Sequence, residues 1–249
     1  MMKNKLKILP LILLPLVSFS SRSADVPSVC APKTYEMALR YQQKSAEIMA
    51  LQLQTYKFAQ QTFQAKVARL ADPEKTAVVM DLDETVLDNT PLMVRDIENC
   101  HDFTRWDTWD AWEKSGHPGL IPGAKAFLQA VNAKKVHIFY VSDRSQANKA
   151  QTLALLRSLG LPQVSEDNVM LDTASKQVRR ATIRQHYSII MLFGDSLPDL
   201  SAQFKNKKTT EQQRQLVAEN EAHFADDWIV LPNAAYGSWT DATLTPWKQ

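Results

Sequence analysis

The chain is short of cysteine, of clustered histidine and of long apolar runs, and each shortage removes a class of protein. Two cysteines in 249 residues are too few for a disulfide-built scaffold, and no Cys/His spacing suits a zinc site. The five histidines are scattered, with no HExxH pair. Leu6 to Val17, the apolar run of the N-terminus, is about a dozen residues, where a membrane-spanning helix needs about 20. Charge of one sign is also scarce. Lys3, Lys5, Lys7 and Arg22 lie in the first 23 residues, which carry no acid, and the remainder has two more acids than bases. That balance excludes the strongly basic footprint of a nucleic-acid binder. No internal repeat or low-complexity linker is present. The chemistry must come from other residues.

The N-terminus runs from basic (Met1 to Lys7) through apolar (Leu6 to Val17) to small and polar (Ser18 to Ala24), which is the order of a secretory signal peptide. Residues 1–24 are assigned to it, with cleavage after Ser20, Ser23 or Ala24. Cys30 follows Val29 well beyond the apolar run, so no lipid anchor is expected. The predicted destination is the periplasm or the cell exterior, without a stable membrane anchor. In that oxidising setting Cys30 and Cys100 are able to pair, and the sequence leaves the pairing open. The rest suits one domain, divided into an N-terminal helical segment (25–73) and a core (74–249) carrying a small cap at about 90–122.

Tyr35 to Leu70 lacks Gly and Pro, and apolar residues recur at helical spacing at Met37, Tyr41, Ile48, Leu51 and Phe58. This predicts one long helix or two in succession, ended by Asp72-Pro73, and serving for packing and spacing. From Thr76 the rhythm changes. Short apolar runs at Ala77–Met80, Val136–Val141, Asn168–Leu171, Ile189–Phe193 and Trp228–Leu231 each end in polar residues, and helix-like stretches lie between them. The alternation predicts an α/β fold, a Rossmann-like parallel sheet flanked by helices. In such sheets the ligand site lies beyond the carboxyl ends of the strands, and those ends carry Asp81, Asp83, Ser142, Asp143, Asp195 and Asp199. Thr90 to Pro122 breaks the alternation. It holds His101, Phe103, Trp106, Trp109 and Trp112, shows no strand signal, and is placed to act as a lid.

Asp81-Leu82-Asp83-Glu84-Thr85 follows a buried strand. Extended geometry sets Asp81 and Asp83 on one side, so the pair can divide labour, one ionised as nucleophile and one holding a proton for the leaving group. A carboxylate attacking phosphorus forms an acyl-phosphate that water then hydrolyses. Gly194-Asp195-Ser196-Leu197-Pro198-Asp199 supplies two further carboxylates, oxygen ligands of the kind magnesium takes. Without a cation the aspartates would repel one another. Ser142, at a strand end, can donate to a phosphoryl oxygen. Lys176, at a helix start, can offset charge on the phosphoryl group and on Asp81.

Three stretches, VVMDLDETVLDNTP (78–91), LFGDSLPDL (192–200) and IVLPNAAYGSW (229–239), with Trp109, Trp112 and Pro122-Gly123-Ala124, resemble the class C acid phosphatases of the haloacid dehalogenase superfamily, the bacterial group typified by outer-membrane lipoprotein e. The resemblance covers roughly residues 34–240. It implies Asp81 as nucleophile and Asp83 as acid/base. One Mg2+ would be held by the Asp81 carboxylate, the Asp83 main-chain carbonyl and Asp195, with Asp199 supporting a metal-bound water or orienting a neighbour. It matches Ser142 and Lys176 to the family's phosphate-binding hydroxyl and lysine. It also implies phosphate monoester substrates, nucleoside monophosphates among them, with Trp109 and Tyr236 where rings hold the base. Leu92, Ser196 and Leu200 depart from the family's usual aromatic, Asn or Thr, and Phe. A broad-specificity or sugar-phosphate phosphatase, and an inactive periplasmic or surface ligand-binding protein, are the alternatives. Homodimer formation is left open.

Overall fold

The structure, a computed structural model, describes residues 30–205, 209–224 and 226–247. The signal-peptide assignment and its cleavage sites therefore lie outside the described residues. Two helices, α1 (Glu36–Lys44) and α2 (Ala46–Val67), open the fold. They divide at Ser45, whose extended backbone leaves its hydroxyl to accept from Ile48 N, an N-cap for α2. The remaining elements are β1 (Thr76–Met80), β2 (Leu87–Asp88), α3 (Thr90–Glu98), α4 (Trp109–Ser115), β3 (Gly119–Leu120), α5 (Ala124–Ala133), β4 (His137–Ser145), α6 (Lys149–Ser158), β5 (Val169–Asp172), α7 (Lys176–Arg184), β6 (Ser188–Gly194), α8 (Leu197–Leu200), α9 (Thr210–Glu219), α10 (Glu221–Phe224) and β7 (Trp228–Val230).

Five strands pair in parallel in the order β5-β4-β1-β6-β7. All of β1 is buried, because helices cover both faces of the sheet. Alternation along the strand sorts its side chains. Val78 and Met80 join Tyr56, Phe63, Phe127 and Ile138 on the face covered by α2 and α5. Ala77 and Val79 join Phe139, Leu192, Ile183 and Trp228 on the face of α7. A third cluster, Leu39, Leu92, Met93, Ile97, Phe103, Trp109 and Ala235, lies between α1 and the segment after β2. Position 92 therefore faces this small core and is fully buried, which is why an aliphatic side chain serves there.

The structure corrects two details of the sequence reading. On the N-terminal helices Met37, Tyr41, Leu51 and Phe58 are largely exposed, while Leu39, Gln42, Ile48, Gln52, Tyr56, Ala59 and Phe63 are buried. The inward stripe includes two glutamines that hydropathy spacing discounts. One of them, Gln42, donates to Pro232 O (3.1 Å) and accepts from Ala234 N (3.0 Å), while the Tyr56 hydroxyl donates to Thr85 O (2.6 Å). The N-terminal segment thus ties two loops at the carboxyl edge of the sheet. The segment from Thr90 to Pro122 also contains a strand. β3 pairs antiparallel with β2, Leu87 opposite Leu120 and Asp88 opposite Gly119, and two residues are too short for any periodicity to register. Cys30 and Cys100 are joined in a disulfide, Cα atoms 5.5 Å apart, fastening the start of the described chain to the end of α3.

Candidate active site

The chain leaves β1 through a tight turn. Leu82 O accepts from Thr85 N, Val86 N and Leu87 N (3.3, 2.8 and 2.8 Å), and Glu84 takes a left-handed backbone, φ 54°. A glutamate held there indicates a conformation over-determined by its surroundings. The Glu84 carboxylate is buried, accepting from Asn89 N (2.9 Å) through one oxygen and from the Tyr236 hydroxyl through the other. Burial, with Asp83 alongside, lifts its pKa to about 8. Asp81, at the head of this turn, is buried, and its amide donates to Phe193 O in the neighbouring strand (3.0 Å).

Helix α7 brings the countercharge. Lys176, Arg179 and Arg180 stand at i, i+3 and i+4, one side of a helix, and all three are buried. Lys176 Nζ lies 2.5 Å from Asp81 Oδ1 and 2.6 Å from Asp199 Oδ1. Arg179 donates to Ser142 O (2.6 Å), Met170 O (2.9 Å) and the Asp143 carboxylate (2.5 Å), and Arg180 donates to Asp199 O. One helix therefore holds the loops after β1 and β6 and the carboxyl-terminal part of β4. Asp199 is steadied further by Ser196 N (3.0 Å to Oδ2), and Asp195 by Asn233 Nδ2 (2.8 Å).

Oxygens of Asp81, Asp195 and Asp199 lie within 4.8 Å of one another. Burial pushes the Asp81 carboxyl well up; Lys176 opposes this, while Asp199, Asp195 and Asp83 add to it. Burial, Asp199 and Glu84 raise Asp195 in the same way. Burial alone would lower the Lys176 ammonium, but Asp81 and Asp199 override it and keep it charged. Two buried carboxylates and the half-buried Asp195 against one ammonium leave negative charge in excess. A hard divalent cation with oxygen preference fits that donor set. Asp199, expected to support a metal-bound water or to orient a neighbour, is inside this cluster.

Asp83 differs from its expected state. Its carboxylate is gripped by Arg144 (Nε 3.0 Å and Nη2 2.8 Å to Oδ1), by Asn89 (2.9 Å) and by the Ser142 hydroxyl (3.1 Å to Oδ2). Burial would raise its pKa, but the Arg144 charge and these donors overcome it and hold it low. Arg144 and its companions thus favour the ionised form of Asp83, while burial pushes the Asp81 carboxyl up. Ser142, expected on a phosphoryl oxygen, spends its proton on Asp83 in this structure. Arg144 was not singled out from the sequence, although a signal existed: β4 runs on to Ser145, so period-2 alternation places Ser142 and Arg144 on one side.

Asp81, Asp83, Lys176, Asp195, Asp199, Trp109 and Tyr236 all line one cleft of about 830 Å³. The two aromatics do not form a slot. Their centroids are 6.4 Å apart with planes at 89°, and a base held between rings needs them roughly parallel with space between.

Gly194 ends β6 beside this cluster. A Cβ there would lie 2.8 Å from Asp199 Cγ. Gly194→Ala is therefore expected to displace Asp199 from Lys176 and to lower kcat/KM by about 10-fold or more, at a stability cost of about 1–3 kcal/mol. Steady-state kinetics with a melting curve checks this, and unchanged kinetics would show that the position of Asp199 is immaterial.

The comparisons agree with this geometry. The family model described as HAD superfamily, subfamily IIIB (acid phosphatase) matches residues 18–239. The class C acid phosphatase from Bacillus anthracis superposes with a TM-score of 0.78 at 30% identity, over 85% of this chain and 88% of that one. A structure of the same enzyme with tungstate bound matches equally, TM-score 0.78 at 30% identity over the same shares of both chains. With the parallel sheet, the acidic cluster at its carboxyl edge and a family match over most of its length, the chain belongs to the class C acid phosphatases, subfamily IIIB of the HAD superfamily.

Proposed function

We propose that this phosphomonoesterase is exported, depends on Mg2+, and prefers nucleoside 5'-monophosphates, which it hydrolyses through an aspartyl-phosphate on Asp81. The observation that carries the reading is the buried Asp81 carboxylate, 2.5 Å from the Lys176 ammonium in the same pocket as Asp195 and Asp199. Lys176 offsets part of the cost of ionising Asp81 in this buried site and fixes one oxygen, so that the other is free for phosphorus. Asp81, Asp195 and the Asp83 main-chain carbonyl would hold the cation, with Asp199 close enough to join them. When bound, the ion offsets charge on the phosphoryl oxygens. Asp83 serves as acid/base. Since Arg144 and Ser142 hold its carboxylate as an anion, that role requires their donors to be exchanged as substrate enters, phosphoryl oxygens being the natural competitors for them. Export is supported by the basic, apolar and small order of residues 1–24, and by the Cys30–Cys100 disulfide, which suits an oxidising compartment.

The test is phosphate release from a panel of nucleoside monophosphates, sugar phosphates and p-nitrophenyl phosphate, with Mg2+ and with EDTA. Release is expected to fall at least about 100-fold in EDTA and to return with Mg2+. EDTA-resistant turnover would sink the metal dependence, and equal kcat/KM across the panel would sink the nucleotide preference. Fractionation of the producing cells decides export.

A further inference from the structure

Two adjacent residues of helix α4 reach the Asp83–Arg144 pair by separate routes. Trp112 Nε1 donates to Asn89 Oδ1 (2.8 Å), and Asn89 in turn donates to Asp83 Oδ1 (2.9 Å). Glu113 takes the other route. It lines the same cleft as Asp83 and Arg144 and is only 8% exposed. Its carboxylate accepts from Ser145 N (3.1 Å) and from Asn148 Nδ2 (2.8 Å). Ser145 follows Arg144 at the end of β4, and Asn148 closes the short turn Gln146–Asn148 that leads into α6.

A buried carboxylate is costly unless it is partnered, and here the partners are dedicated ones. Asn148 is itself buried, and its carbonyl oxygen has no partner among the described residues. Its amide group serves Glu113 and Asp110 (3.1 Å to Oδ1). An asparagine held there although one oxygen goes unpaired points to its donors as the reason for its place.

What Glu113 fixes is the root of Arg144. The Arg144 side chain is buried and donates to Asp83 through Nε and Nη2, while its amide donates to the Ser142 hydroxyl (3.1 Å). Burial works against its charge, and Asp83 first, then Glu113 and Glu84, overcome this. With Ser145 N and the following turn held by Glu113, the main chain after Arg144 cannot shift without breaking two hydrogen bonds. A phosphoryl group that draws Arg144 and Ser142 away from Asp83 then moves side chains about a fixed backbone.

We propose that Glu113 is a positioning residue for phosphate-ester hydrolysis: through Ser145 and Asn148 it holds Arg144, and through Arg144 it aligns Asp83 for proton transfer to the leaving group. The inference rests on the acid/base reading of Asp83 given above.

Proton transfer matters most when the leaving group is poor. The p-nitrophenolate of p-nitrophenyl phosphate departs without a proton, whereas the alkoxide of glycerol 2-phosphate needs one. The experiment compares kcat/KM for these two substrates in the wild type, Glu113→Ala, Glu113→Gln and Asp83→Asn, with Mg2+ present and a melting curve for each protein. In Glu113→Ala the glycerol 2-phosphate value is expected to fall about 10-fold further than the p-nitrophenyl phosphate value. Glu113→Gln keeps an oxygen that can accept from Ser145 and Asn148, and its ratio should stay within about threefold of wild type. Equal losses on both substrates in Glu113→Ala, or a Glu113→Gln ratio as low as that of Glu113→Ala, overturn the proposal. Where Glu113→Ala does not fold, Asn148→Ala takes its place, with a selective fall of about threefold expected and an unchanged ratio overturning the idea. The outcome for Asp83→Asn separates the two readings. No selective loss there defeats the acid/base role and this inference with it, while selective loss there and none in Glu113→Ala removes Glu113 alone.

Discussion

Replacing Asp81 by Asn is expected to reduce turnover of every phosphate monoester by about 10⁴-fold or more while the protein stays folded. An amide oxygen is a weak nucleophile for phosphorus and a poor ligand for a hard cation. The structure adds a less obvious half to the prediction. Asp81 is buried close to Asp195 and Asp199, and the three carboxylates share a single ammonium. Taking away one negative charge relieves repulsion, and Lys176 keeps Asp199 as partner. In EDTA the melting temperature of Asp81→Asn should therefore equal or exceed that of the wild type. Kinetics and melting together read both halves. Turnover within about tenfold of wild type would remove Asp81 as the nucleophile, since no general electrostatic role could hide so large a loss. A variant that unfolds would mean that Asp81 holds the loop together, against the charge argument.

Lys176→Met should have the largest effect on stability, about 3–5 kcal/mol at neutral pH without divalent cation, the usual cost of removing one partner from a buried ion pair. Its pH dependence follows from the neighbours. Asp81 and Asp195 have folded pKa values raised above those of the unfolded chain, so above about pH 4 the folded state binds more protons than the unfolded one. Stability contributed by these groups is complete below the unfolded value and is lost as pH rises through the folded values. Lys176 opposes that loss in the wild type. The deficit of Lys176→Met should accordingly be small near pH 4 and grow toward neutrality, and Mg2+ should recover part of it. Asp83, held low by Arg144, has the opposite sign: its contribution is present above the unfolded value and is lost as pH falls through the folded one. Urea denaturation of both proteins at several pH values, with EDTA and with Mg2+, reads all of this. A deficit independent of pH would show that Lys176 acts by packing alone.

Much of this site was legible along the chain because its signals are local. Apolar runs ending in Asp, Ser or Gly-Asp mark strands that deliver polar groups to one edge, and the five runs became the five strands of the parallel sheet. Asp81, Asp83, Asp195 and Asp199 needed only their positions at strand ends to be noticed, and the paired charges of the cluster already called for Lys176 and a cation. The N-terminal helices were recognised from composition, yet the inward face was misjudged. The apolar residues Met37, Leu51 and Phe58 were left exposed, while Gln42 and Gln52 turned inward; for Gln42 the reason is hydrogen bonding to a distant loop, which no helical periodicity reports.

What the sequence determined by itself was the family of solution, an α/β sheet with four aspartates and a lysine at its carboxyl edge, since strand polarity and alternation are properties of consecutive residues. Only the tertiary structure decided which charges meet. Arg144 and not the bulk solvent holds Asp83, 61 residues away in sequence; Arg179 and Arg180 brace loops of other strands; Trp109 sinks into a small core while Trp106 remains open. Each of these outcomes is a competition between partners far apart along the chain for one buried position. Burial raises the worth of a partnered charge and the cost of an unpartnered one, so the winner is set by distances that exist only after the sheet has closed.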